Sequence, residues 1–261
     1  KNQEENYLLD KYVFRKISIF LTVVCIRFKA TPNQITCISL LASLCSLYFL
    51  TSASGVALLF AAGLIFLYFI LDHVDGELAR YYIRSGKQKP SLKGKYFDVL
   101  VHRYSSNLMV FFLGVGLYNL YGYKWAVLVG FLACIGVSSF PNVVASQVIA
   151  SKIAREPEII YDEKMKAILL EIEKKSQQIS AVHGGLVQKT KKLVIESLFF
   201  PGHIILLILV LIGDVFLDDF VFNSLRFNLR LLFLLAMAFL YTLKTIVQGI
   251  IWIYKLRQIP M

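Results

Sequence analysis

Apolar residues fall in six long stretches, at about 33–53, 54–80, 96–120, 122–150, 198–217 and 225–254. A helix needs about 20 such residues to cross the ~30 Å hydrocarbon core of a bilayer. The second, third, fourth and sixth stretches exceed that length and are expected to project beyond the lipid. Ahead of them, Leu8, Leu9, Tyr12, Val13, Ile17, Phe20, Leu21 and Val24 recur at helical spacing, with Asp10, Lys11, Arg15 and Lys16 between them. The unbroken part, Ile17 to Ile26, rises only about 15 Å as a helix. It is expected to lie flat in the interface as an amphipathic anchor, with a short soluble core helix as the alternative. Thr31-Pro32-Asn33-Gln34-Ile35-Thr36 is a helix start with Pro in the first turn.

Residues 154–196 interrupt the apolar pattern. They predict a soluble insertion with one charged amphipathic helix, about Ile159 to Ile179, and a break at Gly184-Gly185. The pattern therefore predicts an all-α polytopic membrane protein, six transmembrane helices preceded by an amphipathic interfacial helix. Its divisions are 1–30 (juxtamembrane segment), 31–153 (spans one to four), 154–196 (insertion) and 197–261 (spans five and six).

Composition agrees with that class. The chain is 57% hydrophobic with a net charge of +11 and a mean hydropathy of +0.64. The charge is distributed by side. Six Lys and Arg lie between Arg80 and Lys95, and nine between Lys152 and Lys192. The alternate loops are poor in base: 51–56 has none, 119–124 has only Lys124, and 213–224 carries Asp214, Asp218 and Asp219. The positive-inside rule then puts the termini and both basic loops in the cytoplasm. No basic–aromatic motif accompanies the charge, so no nucleic-acid partner is expected; anionic headgroups and phosphate-bearing substrates are. Cys25, Cys37, Cys45 and Cys134 all sit in apolar segments without a CxxC pair, which argues against a disulfide framework or zinc site. The opening KNQEENYLLDKY is not expected to be a cleavable signal, having acids and no clean apolar core.

Charge inside a span is costly and usually functional. The second stretch ends Leu71-Asp72-His73-Val74-Asp75-Gly76-Glu77-Leu78-Ala79-Arg80. On a helix Asp72, Asp75, Gly76 and Ala79 fall on one face. The third stretch opens on Gly94, Asp98 and His102, which share a face at i, i+4 and i+8. If the two segments face each other, three carboxylates and an imidazole meet at the cytoplasmic boundary. Oxygen-rich ligation favours Mg²⁺ or Mn²⁺, one or two ions, which would neutralise a diphosphate. The plainer reading is ion pairing with Arg80, Arg84 and Arg103. His73 points off this face, His183 and His203 stand alone, and Lys244 with Gln248 is assigned to packing. Lys152 and Arg155, at the end of the fourth stretch, are read as topology charges or as an acceptor-phosphate site.

Asp72, Asp75, Gly76, Ala79, Arg80, Gly94 and Asp98 match the signature of the CDP-alcohol phosphotransferase (CDP-alcohol phosphatidyltransferase) family: Asp, two residues, Asp-Gly, two residues, Ala-Arg, a spacer, Gly, three residues, Asp, three residues, Asp. The Thr31-to-Thr36 element also resembles the Pro-Asn-x-x-Thr start of the first span in that family. The chain departs from the pattern twice. Arg80 to Gly94 is longer than usual, and the last Asp is His102.

The resemblance implies a membrane transferase that moves a substituted phosphate from a CDP-linked alcohol donor to an acceptor hydroxyl and releases CMP, as in phospholipid or polyol-phosphodiester synthesis. By that analogy Asp72, Asp75 and Asp98 bind the metals, joined by His102. Gly76, Ala79, Arg80 and Gly94 line the CDP site, with Asn33 added to them, and His102 is the general base. The bilayer is the expected setting and a homodimer is an open possibility. The alternatives are an intramembrane prenyltransferase, which needs a second Asp-rich motif, and a catalytically impaired CDP-binding relative.

Overall fold

The computed structural model describes residues 14–89, 91–138, 202–217, 219–222 and 225–257, and a few positions between 145 and 170. Residues 1–13, the proposed helix 159–179 apart from Glu163 and Leu170, Gly184-Gly185, His183, Lys152 and Arg155 lie outside the described residues. The described elements are helical apart from one small ribbon. They run α1 (Arg15–Arg27), α2 (Pro32–Leu50), α3 (Gly55–Arg84), α4 (Leu92–Tyr121), α5 (Lys124–Val137), α6 (Gly202–Phe216), β1 (Phe220–Phe222), β2 (Leu225–Phe227) and α7 (Leu229–Leu256).

Local chemistry sets the helix ends. The Thr31 side chain accepts from the Gln34 amide while the Gln34 side chain accepts from the Thr31 amide, a reciprocal cap completed by Pro32 in the first turn. Ser91 caps α4 by accepting from the Gly94 amide at 3.2 Å. Gly122 ends α4 in the left-handed region, φ 74°, where glycine has no Cβ penalty. Asn228 caps α7, its side chain accepting from Leu231.

Among the described residues, three helices are long and apolar enough to cross a membrane: α2, α3 and α7. The helices α5 and α6 are apolar but shorter, 14 and 15 residues. At 30 residues α4 is long enough, but its first half carries Asp98, His102, Arg103, Ser105 and Ser106, and it is not among the three. The stretch expected at 225–254 begins with the second strand of a two-stranded antiparallel ribbon, with Phe220 opposite Phe227. Helix α7 starts only after it, at Leu229. The alternation Phe-Val-Phe and Leu-Arg-Phe suits a short pleated pair better than a helix start.

The bundle is apolar inside and out, as a helix solvated by lipid requires. Tyr68, Phe69, Leu113, Leu117, Ile204 and Leu234 fill the interior, while Phe60, Leu128, Phe239 and Ile250 face outward. Small residues let the backbones approach closely. A Cβ at Gly114 would lie 2.6 Å from the Ala126 carbonyl oxygen, and one at Gly116 would collide with the Leu50 carbonyl. These contacts clamp α4 to α5 and α2. A Cβ at Gly136 would meet Tyr241 at 2.6 Å, which brings α7 against α5.

Helix α1 is turned with its polar side inward. Ser18 and Thr22 are buried, while Ile19, Phe20 and Val23 are exposed. Ser18 and Thr22 each donate to one oxygen of Glu77 on α3, at 2.9 and 2.8 Å. Just before α1, Phe14 sits edge-on to Phe69, ring centroids 4.9 Å apart. The helix is thus tied to α3 by a hydroxyl–carboxylate pair and leaves its apolar face exposed.

Candidate active site at the α3–α4 crossing

The second half of α3 and the first half of α4 bring two carboxylates and an imidazole together. One ligand atom each from Asp72, Asp98 and His102 can be chosen so that all three lie within 4.8 Å of one another. His102 Nε2 is 3.1 Å from Asp72 Oδ2, and both side chains are mostly buried, 25% and 14% exposed. Donors about 2.1 Å from one shared ion lie at most about 4.2 Å apart. The trio therefore fits a small dication after a modest inward movement, and two carboxylates with an imidazole suit Mg²⁺ or Mn²⁺.

Asp75 is beside this group but differently engaged. It is 5% exposed, and Thr36 on α2 donates its hydroxyl proton to Asp75 Oδ2 at 2.6 Å. Two steps of geometry explain the difference. Residues three apart on a helix diverge by about 60° around its axis, so Asp72 turns toward α4 while Asp75 turns toward α2. The Thr36→Val variant should leave that carboxylate buried without its donor. Thermal unfolding in detergent is expected to show a loss of about 1–3 kcal/mol, largely restored in Thr36→Ser.

His102 is held from both sides. Its Nδ1 is 2.9 Å from the Tyr68 hydroxyl. With the Nε2 proton facing Asp72, Nδ1 accepts from Tyr68. With Nε2 bare, Nδ1–H donates to the Tyr68 oxygen. Either way Tyr68 fixes the ring, and Nε2 is the nitrogen left for chemistry. One nitrogen cannot coordinate a metal and take a proton at once, so the ligand and base roles assigned to His102 exclude each other at any moment.

Gly76, Ala79 and Arg80 are half-buried. A Cβ at Gly76 would lie 3.3 Å from Arg80 Nη1, so the guanidinium folds back over the glycine. A Cβ at Gly94 would lie 3.5 Å from Asn33 Oδ1, which brings the start of α2 beside the start of α4. His73 is directed away, its Nδ1 2.9 Å from the Phe69 carbonyl oxygen. Three contributors were not assigned roles from sequence: Thr36, Tyr68 and Glu77. Tyr68 lies one turn before Asp72 on the same face, a signal masked because an aromatic in an apolar run is more often core.

Asp214 does not extend this site. Gly55, where α3 starts, faces Val215 of α6, so Asp214 lies about 26 Å along α3 from Asp72. Asp214 is ion-paired with Arg230 at 2.6 Å, both side chains buried, and accepts from Asn228. That removes Asp214 from the second Asp-rich motif a prenyltransferase needs.

The family model of the CDP-alcohol phosphatidyltransferases matches residues 29–209, which takes in α2 through α5 and the start of α6. No curated protein matches the chain.

Proposed function

Because the chain belongs to the CDP-alcohol phosphatidyltransferase family, we propose that it transfers a substituted phosphate from a CDP-linked alcohol to an acceptor hydroxyl with release of CMP, using a divalent metal held at the α3–α4 crossing. The observation that carries this reading is the convergence of Asp72, Asp98 and His102 within 4.8 Å, at the positions of the family signature. Asp72, Asp75 and Asp98 would hold the metal, Asp75 after releasing or sharing its bond to Thr36, and His102 would join them whenever its Nε2 is not taking up a proton. A dication bound there would neutralise the diphosphate and stabilise the departing phosphate.

The protein's own groups do the rest. The backbone at Gly76, Ala79 and Gly94 leaves room for the cytidine, with Asn33 and Arg80 at its edge. The acceptor oxygen bonds to the phosphorus that carries the donor alcohol. The bond from that phosphorus to the oxygen shared with CMP breaks, and CMP leaves with the electron pair. The acceptor's proton passes to His102 Nε2, whose ring is held in place by Tyr68.

The test is a panel of CDP-linked donors with acceptor alcohols, followed by CMP release. Release that needs both an acceptor and Mg²⁺ or Mn²⁺ supports the reading. Acceptor-dependent release undiminished in EDTA removes the metal from it.

The site is proposed to face the cytoplasm, with both termini, on the base enrichment of the loops beside it. In a cysteine-free background, Gln88→Cys should label only from the cytoplasmic side and Asp218→Cys only from the other. Labelling of both from one side contradicts this topology.

A further inference from the structure

Helix α1 meets α3 inside the signature segment, and it does so through polar atoms. Ser18 and Thr22 are buried and donate to the two oxygens of Glu77. Glu77 directly follows Gly76, at the edge of the proposed nucleotide site. A second tie lies just past the end of α1, where the Tyr82 hydroxyl donates to the Ala30 carbonyl at 3.0 Å. Hydrogen bonds are directional and are lost beyond about 3.5 Å. The seat of α1 and the position of this turn of α3 are therefore set together.

The other face of α1 is exposed. Lys16, Phe20, Val23 and Arg27 lie within about 60° of one another around the helix axis, and all four are exposed. Phe28, just past the helix end, is 82% exposed. The helix has 13 residues, about 20 Å, too short to cross a ~30 Å hydrocarbon core. An apolar strip with a cation at each end suits the boundary between headgroups and acyl chains. The charge around it has one sign. Residues 14–29 carry four Lys and Arg and no acid, and residues 81–97 carry five and no acid. A second copy of this chain would bring the same charge to the contact and be repelled. A lipid surface with anionic headgroups matches both the charge and the apolar strip.

Resting on the transferase reading above, we infer that α1 docks on anionic lipid and that its seat on Glu77 couples this docking to the nucleotide site. Anionic lipid binds best to the state in which the two hydroxyls face Glu77 while the cations and Phe20 face outward. Nucleotide that prefers the same state binds more tightly there, and by reciprocity it strengthens docking.

The test uses the full chain in phosphatidylcholine nanodiscs, with and without phosphatidylserine, which has no free hydroxyl and cannot serve as an acceptor. Calorimetry follows CMP binding at saturating Mg²⁺. A fluorophore on Val23→Cys, in a cysteine-free background, reports docking through quenching by brominated lipid. Phosphatidylserine should deepen the quenching and tighten CMP at least about fivefold, although a negative surface repels CMP itself. Lys16→Gln with Arg27→Gln should lose both responses. Ser18→Ala with Thr22→Val should keep the quenching and lose the gain in CMP affinity, whereas Ser18→Thr with Thr22→Ser should keep both. CMP binding retained in neutral discs shows that a variant is folded. Quenching that ignores phosphatidylserine, or a Lys16→Gln, Arg27→Gln protein that responds as the wild type does, overturns the inference. So does a label shielded from both lipid and iodide in both membranes, which would put a protein partner on this face. CMP binding that ignores phosphatidylserine overturns the coupling alone. Wild-type protein that binds no CMP with Mg²⁺ in either membrane overturns the transferase reading and the coupling with it.

Discussion

Replacing Asp98 by Asn is expected to lower turnover by at least about 10³-fold, because a metal that stabilises several kcal/mol of developing charge is lost or misplaced. Asp98 supplies α4's carboxylate in the cluster with Asp72 and His102. The substitution keeps the shape and removes the charge. Without metal, the wild type holds two carboxylates with ligand atoms within 4.8 Å, and like charges at that range repel. Asp98→Asn should therefore be as stable as the wild type, or more so, in metal-free buffer. It should lose the rise in melting temperature that Mg²⁺ with CMP gives the wild type. Activity assays and thermal scans with and without Mg²⁺ check both halves. A variant that is unstable in metal-free buffer would point to a structural role for Asp98.

His102→Ala should cost about 10² to 10⁴ in rate if proton transfer is lost, with metal-dependent CMP binding largely intact. If His102 acts instead as a ligand, CMP binding should fall together with the rate. His102→Asp restores the family's residue and should recover part of the activity, with a stronger dependence on metal concentration. Tyr68→Phe provides the companion test. It removes the 2.9 Å contact to Nδ1 without touching Nε2, so its effect should be smaller than that of His102→Ala and should appear in the rate more than in CMP binding. Wild-type turnover in His102→Ala would eliminate the base role.

The signature made the α3–α4 pairing legible because its acids lie at helical spacing. Asp98 and His102 are one turn apart, about 40° around the axis, and they remain on one face in the structure. Asp72 and Asp75 diverge more, and the acid read as an equal ligand is bonded to Thr36. Which neighbour each acid meets depends on where α2 and α4 pack, and no local pattern encodes that. Glu77 shows the same limit. It stands about 140° from Asp72, so it meets Ser18 and Thr22 of α1, and the polar stripe on α1 had no visible partner in sequence.

A cavity of about 250 Å³ beside the candidate active site was the least legible feature. In sequence Lys244 reads with Gln248 as a packing pair and His203 as a lone histidine in an apolar run. Only the crossing of α4, α6 and α7 brings them to one space with His102. The helices themselves were legible from hydropathy and caps. The β1–β2 ribbon was missed because its second strand is continuous in hydropathy with α7.

The central claim is a metal-bridged cytidine nucleotide at the α3–α4 crossing. Calorimetric titration of CMP into the purified chain, in Mg²⁺ and again in EDTA, tests it most directly. The account predicts binding in Mg²⁺ that is lost in EDTA and in Asp98→Asn. Equal affinity in Mg²⁺ and EDTA would contradict it.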